Sequence, residues 1–346
     1  MFVNDPKPRF MIRFTRQSAL FFVALAVVVS ACGPGKNRTH VDVSKISMPM
    51  MKIHRYDLEL FRVNARHLQQ ELDVLKPEYR FFLGTDLGDT AKLNAMRAYL
   101  ENQRNVSFYE AVALQYKDAV DLENGLTDAF RHYLYYYPGS KIPRVYAYIS
   151  GGDYDYPVQF ADSVLLIGLD NYLGKDFKPY ITDGLPFYRI VRMNAANLLP
   201  DCMKVLSHVT HPAQLPGNNL LEQMIEAGKR LYFTDAMIPA TEDRFKIGYT
   251  GPQQEWIVKN EAHVWATIIE NRMLYTTDAK LIRAFMADGP FTAEFSKEAP
   301  SRMGEWLGWQ IVRKYMENKP AVTLPEMMNE QDAQKILNDS GYKPEK

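Results

Sequence analysis

The N-terminal segment that ends at Cys32 constrains the fold most, because it predicts which residues remain to build the folded domain. An uncharged apolar run over residues 19–31 follows four basic residues, Lys7, Arg9, Arg13 and Arg16. The run is shorter than the ~20 residues needed to span a bilayer, but it suits the core of a signal peptide. It ends in Val29-Ser30-Ala31-Cys32, which is typical of a lipobox. We therefore predict that residues 1–31 are a cleaved lipoprotein signal peptide, with Met1 or Met11 as its start.

The cysteine content agrees with this prediction. Cys32 would carry the acyl chains, palmitate among them, which makes membrane lipid a predicted partner. The alternative is a secreted protein in which this cysteine is incidental. Cys202 is the only other cysteine, so the processed chain has no second thiol with which to form a disulfide. The fold must then depend on its apolar core, and the chain is 47% apolar and 12% aromatic.

Charge and the segment after Cys32 indicate partners and location. The chain has 41 basic and 41 acidic residues, and this balance argues against nucleic acid as a partner. Residues 32–52 start with a polar stretch rich in Gly and Pro, and they predict a flexible tether of ~25 Å. No acidic cluster of the surface-export kind follows Cys32, which favours the periplasmic face of the envelope. Residues 53–346 contain no convincing linker and predict a single globular domain.

The periodicity of apolar residues predicts an α+β fold that is predominantly helical and has a small β-sheet. Strands are predicted where β-formers cluster, at 144–149, 158–160 and 163–167. Helices are predicted where apolar residues recur with helical spacing, at 58–75, 91–120, 121–137, 220–233, 254–274, 278–287, 303–316 and 330–338. Gly304 and Gly308 lie four residues apart, so we expect that face of their helix to pack closely against a neighbour.

Histidines and one glutamate are the candidate metal ligands. His208 and His211 are three residues apart, whereas a zinc-binding helix places two histidines four apart with a glutamate after the first. Pro212 follows directly, so a polar helix end is the better interpretation. Glu226 is either a third metal ligand on a buried helix or the partner of an ion pair with Arg230, and the residues alone favour the ion pair.

Several segments resemble, in the same order, the gliding-motility lipoprotein GldB family. The resemblance spans nearly the whole processed chain. The segments that carry it are Ile53–Phe61, Val164–Gly174, Leu185–Tyr188, Glu222–Lys229 and Gly304–Val312. It implies a lipoprotein of the Bacteroidota cell envelope that serves gliding motility in gliding members, with a motility, secretion or other envelope protein as its partner.

The family is also distantly similar to zinc peptidases that carry His-Glu-x-x-His on a helix. The resemblance places the counterpart of that helix at Asn194–Leu206, which contains no histidine. It therefore implies a degenerate zincin-like arrangement in which Glu226 is the vestige of a third ligand.

Two function classes remain open on this basis. The first is a non-catalytic envelope lipoprotein, without cofactor or catalytic residues, that binds a partner through a peptidase-like groove. An edge strand of that groove, near Tyr146 and Tyr148, could hold an extended chain. The second is a zinc-dependent hydrolase with an atypical metal site built from His208, His211, Glu226 and His263. We favour the first, because a catalytic zinc needs about three protein ligands.

Overall fold

Four short strands form one mixed sheet in the part of the chain that the structure describes. This computed structural model describes residues 38–161, 163–212, 218–293 and 295–344, so Cys32 and the predicted signal peptide lie outside it. The strands are β1 (Ile53–Arg55), β2 (Arg144–Tyr148), β3 (Val158–Ala161) and β4 (Val164–Gly168). Their order is β1-β2-β4-β3, with β1, β2 and β4 parallel and β3 antiparallel to β4. β3 is therefore an edge strand.

Helices make up most of the remaining described chain, which confirms the predicted α+β class. They are α1 (Tyr56–Glu59), α2 (Leu68–Leu83), α3 (Thr90–Glu101), α4 (Gln103–Gln115), α5 (Val120–Tyr136), α6 (Lys178–Thr182), α7 (Phe187–Ile190), α8 (Ala195–Thr210), α9 (Leu220–Met237), α10 (Asp243–Ile247), α11 (Gly251–Glu270), α12 (Ala279–Met286), α13 (Met303–Asn318), α14 (Leu324–Asn329) and α15 (Ala333–Ser340). Short 3-10 helices cover Leu60–Arg62, Ala65–His67 and Leu169–Asn171. No helix among the described residues is long and apolar enough to cross a membrane.

Asparagine caps explain two places where the predicted helices are wrong. The predicted helix over 58–75 breaks at Asn64, whose side chain accepts a hydrogen bond from the Arg66 amide. The predicted helix over 91–120 is split into α3 and α4 at Asn102, whose side chain accepts from the Arg104 amide. Asparagine competes for backbone donors in this way and so favours a new helix start over a helix interior.

A close helix crossing lies at the centre of the core. Nearly every residue of α9 after Glu226 is buried, and α9 packs most extensively against α13. A Cβ added to Gly308 would lie 1.7 Å from the Met224 carbonyl oxygen, and one added to Gly228 would lie 2.2 Å from the Gly308 carbonyl carbon. A Cβ on Gly304 would lie 2.4 Å from Met286 Sδ. The predicted close packing of the Gly304 and Gly308 face is thus confirmed.

A second, smaller core lies between α2 and the sheet. It contains Tyr146 of β2, whose ring packs edge-on against Tyr79 with 6.0 Å between ring centroids. β2 lies between β1 and β4, and Tyr146 is only 2% exposed. Tyr146 and Tyr148 therefore belong to an interior strand, and the Tyr148 hydroxyl accepts a hydrogen bond from Gln159 of the edge strand β3 at 3.1 Å.

Residues 38–52, predicted as part of the tether, contact the domain. The Arg38 guanidinium donates hydrogen bonds to the carbonyls of Met316, Lys319 (3.1 Å) and Val322 (2.7 Å) at the end of α13. The Met51 amide donates to the Thr127 hydroxyl at 2.9 Å. Residues 38–346 form one compact unit, so the described part of the predicted tether packs with the rest of that unit.

Candidate functional site

A cleft of about 540 Å³, lined by both polar and apolar groups, lies between α8, β3 and the segment that precedes α8. Helix α8 contributes one stripe of side chains at helical spacing: Asn197, Asp201, Lys204, Val205 and His208. The remaining lining residues come from the β2–β3 connection with the start of β3, the end of the 3-10 helix after β4, the residues before α8, and the residue that follows α10. They are Tyr154, Asp155, Tyr156, Pro157, Val158, Asn171, Tyr172, Arg189, Arg192, Met193 and Gly248.

The sequence of α8 explains why this stripe faces the cleft. Asn194 caps the helix by accepting a hydrogen bond from the Ala196 amide at 3.1 Å. The apolar residues on the other face, Leu198, Cys202, Met203 and Leu206, are buried in the main core. That face fixes the helix rotation, so the polar residues between them must point away from the core. Burial also raises the pKa of the Cys202 thiol, which stays neutral and serves as a packing residue.

Two residues that line the cleft each have a buried side-chain oxygen without a hydrogen-bond partner among the described residues. These oxygens are the Oδ1 atoms of Asn171 and Asn197, whose side chains are 2% and 5% exposed. Asn197 Nδ2 donates to the Arg192 carbonyl at 2.7 Å, so its oxygen must be the free atom. Asn171 Nδ2 donates to Ser150 Oγ, which has already given its own proton to Asp170. Both amide orientations are therefore fixed by their neighbours, and both free atoms are acceptors.

The charged groups of the cleft are mostly paired. Lys204 Nζ lies 3.1 Å from Asp201 Oδ1, and the Tyr172 hydroxyl donates to Asp201 Oδ2 at 3.0 Å. Arg189 pairs with Asp155 at 2.9 Å. These contacts hold the long cationic side chains in place and leave the carboxylates partly neutralised, which suits binding better than general acid–base chemistry.

His208 is the last residue of the α8 stripe, and its imidazole makes no hydrogen bond to a described residue. Desolvation and the nearby Arg230 guanidinium lower the pKa of His208, although Glu226 opposes this shift. The ring is therefore neutral at pH 7 and can both donate and accept.

The lowered pKa of His208 predicts a pH dependence of stability. The unfolded chain takes up the proton more readily than the folded one, so stability is lost as pH falls below about 6.5. Between pH 7 and pH 5.5 the free energy of unfolding of the wild type should fall further than that of His208→Gln. Urea unfolding across this window measures the difference, and parallel curves for the two proteins would contradict the assignment.

A buried carboxylate shapes the loop that carries one wall of the cleft. Asp170 accepts hydrogen bonds from the amides of Ser150 at 2.8 Å and Gly151 at 3.1 Å, and from the Ser150 hydroxyl at 2.8 Å. The loop turns at Gly151 and Gly152, whose φ angles of +71° and +89° disfavour other residues. Asp170 thereby sets the position of Tyr154 and the residues after it.

The candidate metal ligands Glu226 and His211 have other partners. Glu226 pairs with Arg230 at 2.7 Å and with Lys229 at 3.1 Å, as the ion-pair interpretation predicts. His211 Nε2 lies 2.8 Å from the Tyr137 hydroxyl, and its other nitrogen lies 3.3 Å from Asn329 Oδ1. α8 ends at Thr210, so His208 and His211 belong to a helix end, as predicted.

The same residues do not fit a zinc ion. His263 lies on α11, where its ring packs against Phe295 with 6.1 Å between centroids. Within residues 38–161, 163–212, 218–293 and 295–344, no three His, Cys, Asp or Glu side chains are grouped so that they could hold a metal. Arg230 adds a positive charge between Glu226 and the two helix-end histidines, which disfavours a second cation.

Sequence analysis missed most of the cleft. Asn171, Arg192, Asn197, Asp201 and Lys204 were not candidates, because none belongs to a known catalytic motif. The signal was the spacing of Asn197, Asp201, Lys204 and His208 at four, three and four residues. A polar stripe of that kind beside an apolar face usually indicates a solvated helix surface.

Fold and cleft define a predominantly helical α+β protein with a cleft between a helix and an antiparallel edge strand. A family model for gliding motility protein GldB matches residues 36–344. The chain therefore belongs to the GldB family, and it is a gliding-motility lipoprotein of the cell envelope. No curated protein and no solved structure matches it.

Proposed function

We propose that this lipoprotein is non-catalytic and binds an extended segment of an envelope protein in its cleft. The observation that carries the proposal is the outer edge of β3. β3 pairs with β4 alone, and its outward backbone groups make no hydrogen bond to another described segment. Val158, its first residue, lines the cleft. An unpaired strand edge can accept a further strand, and α8, which packs beside β3, lines the same cleft.

Exposed aromatic side chains at the rim support a protein partner. Tyr156 lines the cleft and is 64% exposed. Phe187 is 70% exposed and shares the short helix α7 with the cleft residue Arg189. Large aromatic residues are enriched in protein interfaces because they bury much area with few torsions to fix. The partner that fits is a motility, secretion or other envelope protein.

In our proposal, acyl chains on Cys32 attach the protein to the membrane, and the domain lies on the periplasmic face of the envelope.

Replacing Cys32 by Ala should move the protein from the membrane fraction to the soluble fraction. Several acyl chains together give stable attachment, whereas the folded domain offers no spanning helix among its described residues. Cys202→Ala is the matched control and should stay with the membrane. Fractionation after a salt wash measures the difference. A Cys32→Ala protein that remains in the membrane fraction would refute the lipid anchor.

Site-specific photocrosslinking in cells tests the binding proposal. A photoreactive phenylalanine derivative replaces Tyr156 in the full lipoprotein, and Tyr275, which is 58% exposed, is the matched control away from the cleft. We expect a discrete crosslinked polypeptide from position 156 and none from position 275. Equal crosslinking at both positions, or none at position 156, would overturn the proposal.

A further inference from the structure

A second cavity, of about 460 Å³, lies in the smaller core between α1, α2, α3 and the end of β2. Its lining is mostly apolar and includes Leu72 and Leu83 of α2, which are 1% and 6% exposed. Among the described residues, Lys92 is the only charged one in the lining, and it is exposed. No described residue lines both this cavity and the cleft, so the two are separate sites.

An apolar cavity of this size is unfavourable when it is empty. Packed protein cores leave few voids larger than a water molecule. Water is a poor occupant because it needs two to four polar partners, and this lining offers mainly hydrocarbon. A ligand with a long apolar part would restore the missing packing contacts and would itself leave water. The volume also lies within the roughly 300–1,000 Å³ of small-molecule sites.

Helix α3 covers this cavity without closing it. Its apolar residues Leu93, Met96 and Leu100 are spaced three and four apart, so they share one face of the helix. Leu93 and Met96 line the cavity, yet no residue of α3 is buried. The exposed residues Lys92 and Ala95 belong to the lining as well. The cavity is therefore open to solvent beside α3, where a ligand can enter.

Tyr56 supplies a hydrogen-bond donor inside the cavity. Its side chain is 5% exposed, and its ring stacks on Phe82 with 4.2 Å between centroids. Of the other lining tyrosines, Tyr99 donates to a backbone carbonyl at 2.6 Å and Tyr148 accepts from Gln159 at 3.1 Å. The Tyr56 hydroxyl makes no hydrogen bond to a described residue, and its oxygen is not fully enclosed by protein atoms. Burial raises the pKa of Tyr56, so the hydroxyl keeps its proton and can donate it to a ligand.

We infer that this cavity binds a fatty acyl chain whose carbonyl oxygen accepts a hydrogen bond from the Tyr56 hydroxyl. The hydrocarbon chain fills the apolar space beside Leu93 and Met96, and its single bonds let it follow an irregular lining. A lipoprotein of the cell envelope lies at a membrane, which supplies such chains. A free fatty acid and a phospholipid share this chemistry, and the experiment separates them. The inference goes beyond the proposed function, because it concerns a different site.

Photolabelling of the full lipoprotein in phospholipid vesicles tests the inference. One probe is a palmitic acid analogue with a diazirine in the middle of its chain, and the other is a phosphatidylethanolamine that carries the same chain. After illumination and trypsin digestion, mass spectrometry maps the adducts. We expect adducts on residues 81–92 and 93–97, which contain Leu83, Leu93 and Met96 of the lining. The probe that labels them identifies the source of the chain, and no adduct there from either probe would overturn the inference.

A matched pair of tryptophan variants shows whether the adducts report the cavity. Met96→Trp places a larger side chain in the cavity and should remove most of the labelling of residues 81–92. Leu100→Trp alters the same face of α3 one turn later, at a residue that is also half-buried but lies outside the lining, and it should retain the labelling. Equal labelling in both variants would overturn the assignment to the cavity.

A second pair of variants tests the hydrogen bond and does not depend on how well Met96→Trp folds. Tyr56→Phe removes one oxygen and should raise the probe concentration for half-maximal labelling roughly fivefold, as expected for the loss of one hydrogen bond. Tyr79→Phe removes a hydroxyl from the same smaller core but outside the lining, and it should leave that concentration unchanged. The same concentration in both variants would overturn the role of Tyr56.

Discussion

Gly308→Ala should destabilise the domain by about 3 kcal/mol or more, which lowers the melting temperature by roughly 6–12 °C. The added Cβ would lie 1.7 Å from the carbonyl oxygen of Met224 and 2.4 Å from its carbonyl carbon. Both atoms belong to the backbone of α9, so no side-chain rotation relieves the overlap. The two helices would have to separate at the centre of the core, where interdigitated packing is lost over many residues.

Gly251→Ala is the matched control for this substitution. Gly251 is also a helical glycine, but a Cβ there meets only the tip of the Arg244 side chain at 3.9 Å. Alanine favours helix, so this variant should be neutral or gain up to ~1 kcal/mol. Thermal unfolding of both variants measures the contrast. An unchanged melting temperature for Gly308→Ala would contradict the close crossing of α9 and α13.

Asp235→Ala should destabilise the domain by about 3–5 kcal/mol, because it leaves a buried cation without its main partner. Asp235 accepts from Lys246 Nζ at 2.6 Å and from Arg313 Nη2 at 2.7 Å. The side chains of Asp235 and Lys246 are each 2% exposed. After the substitution, Lys246 would keep only Asp243, at 3.7 Å. The ion pairs join α9, α10 and α13, so their loss weakens three elements together.

Glu317→Ala is the control for Asp235→Ala. Glu317 pairs with Lys314 on the surface, where both side chains are at least half exposed. Pairs of this kind contribute about 0–1 kcal/mol. Urea unfolding should show a large loss for Asp235→Ala and almost none for Glu317→Ala. Losses of equal size would mean that the buried pair has no special role.

The elements that depend on local sequence could be predicted. Three features follow from residues that are close together in the sequence. They are the strands β2, β3 and β4, the close-packing glycines of α13, and the ion pair of Glu226 with Arg230. Apolar periodicity continues through Asn64 and Asn102, so it did not predict the helix breaks there. The side chain of each asparagine accepts a hydrogen bond from a backbone amide, which favours a new helix start over a continuous helix.

The elements that depend on long-range arrangement could not be predicted. The order of strands places β3 at the edge and buries Tyr146, and no local pattern encodes that order. The cleft likewise combines Asn171, Arg192 and Asn197 with Gly248, which are separated in sequence by up to 77 positions. The hydrogen bonds of Arg38 to the carbonyls of Lys319 and Pro320 likewise have no local signal in the sequence.

The GldB resemblance is confirmed by the family match, and its zincin-like part stays a prediction. α8 runs beside an antiparallel edge strand, and Asn197 and Asp201 stand four residues apart on its cleft side. A zinc-binding helix offers two neutral imidazoles as ligands. Here an amide, Asn197, and a carboxylate, Asp201, replace them, and the carboxylate is already bonded to Tyr172 and Lys204. Asn197 and Asp201 therefore do not supply the ligands of a zinc helix.

A mass-spectrometric time course with an unfolded protein tests the central claim, binding without hydrolysis, most directly. The full lipoprotein and its Glu226→Ala variant are each incubated with the unfolded protein, with and without a metal chelator. We predict that the unfolded protein stays intact in all four samples, because Glu226 is neutralised by Arg230 and Lys229 and no metal-ligand group surrounds it among the described residues. Fragments that accumulate with the wild type and disappear both with chelator and in Glu226→Ala would contradict the claim and identify a zinc hydrolase.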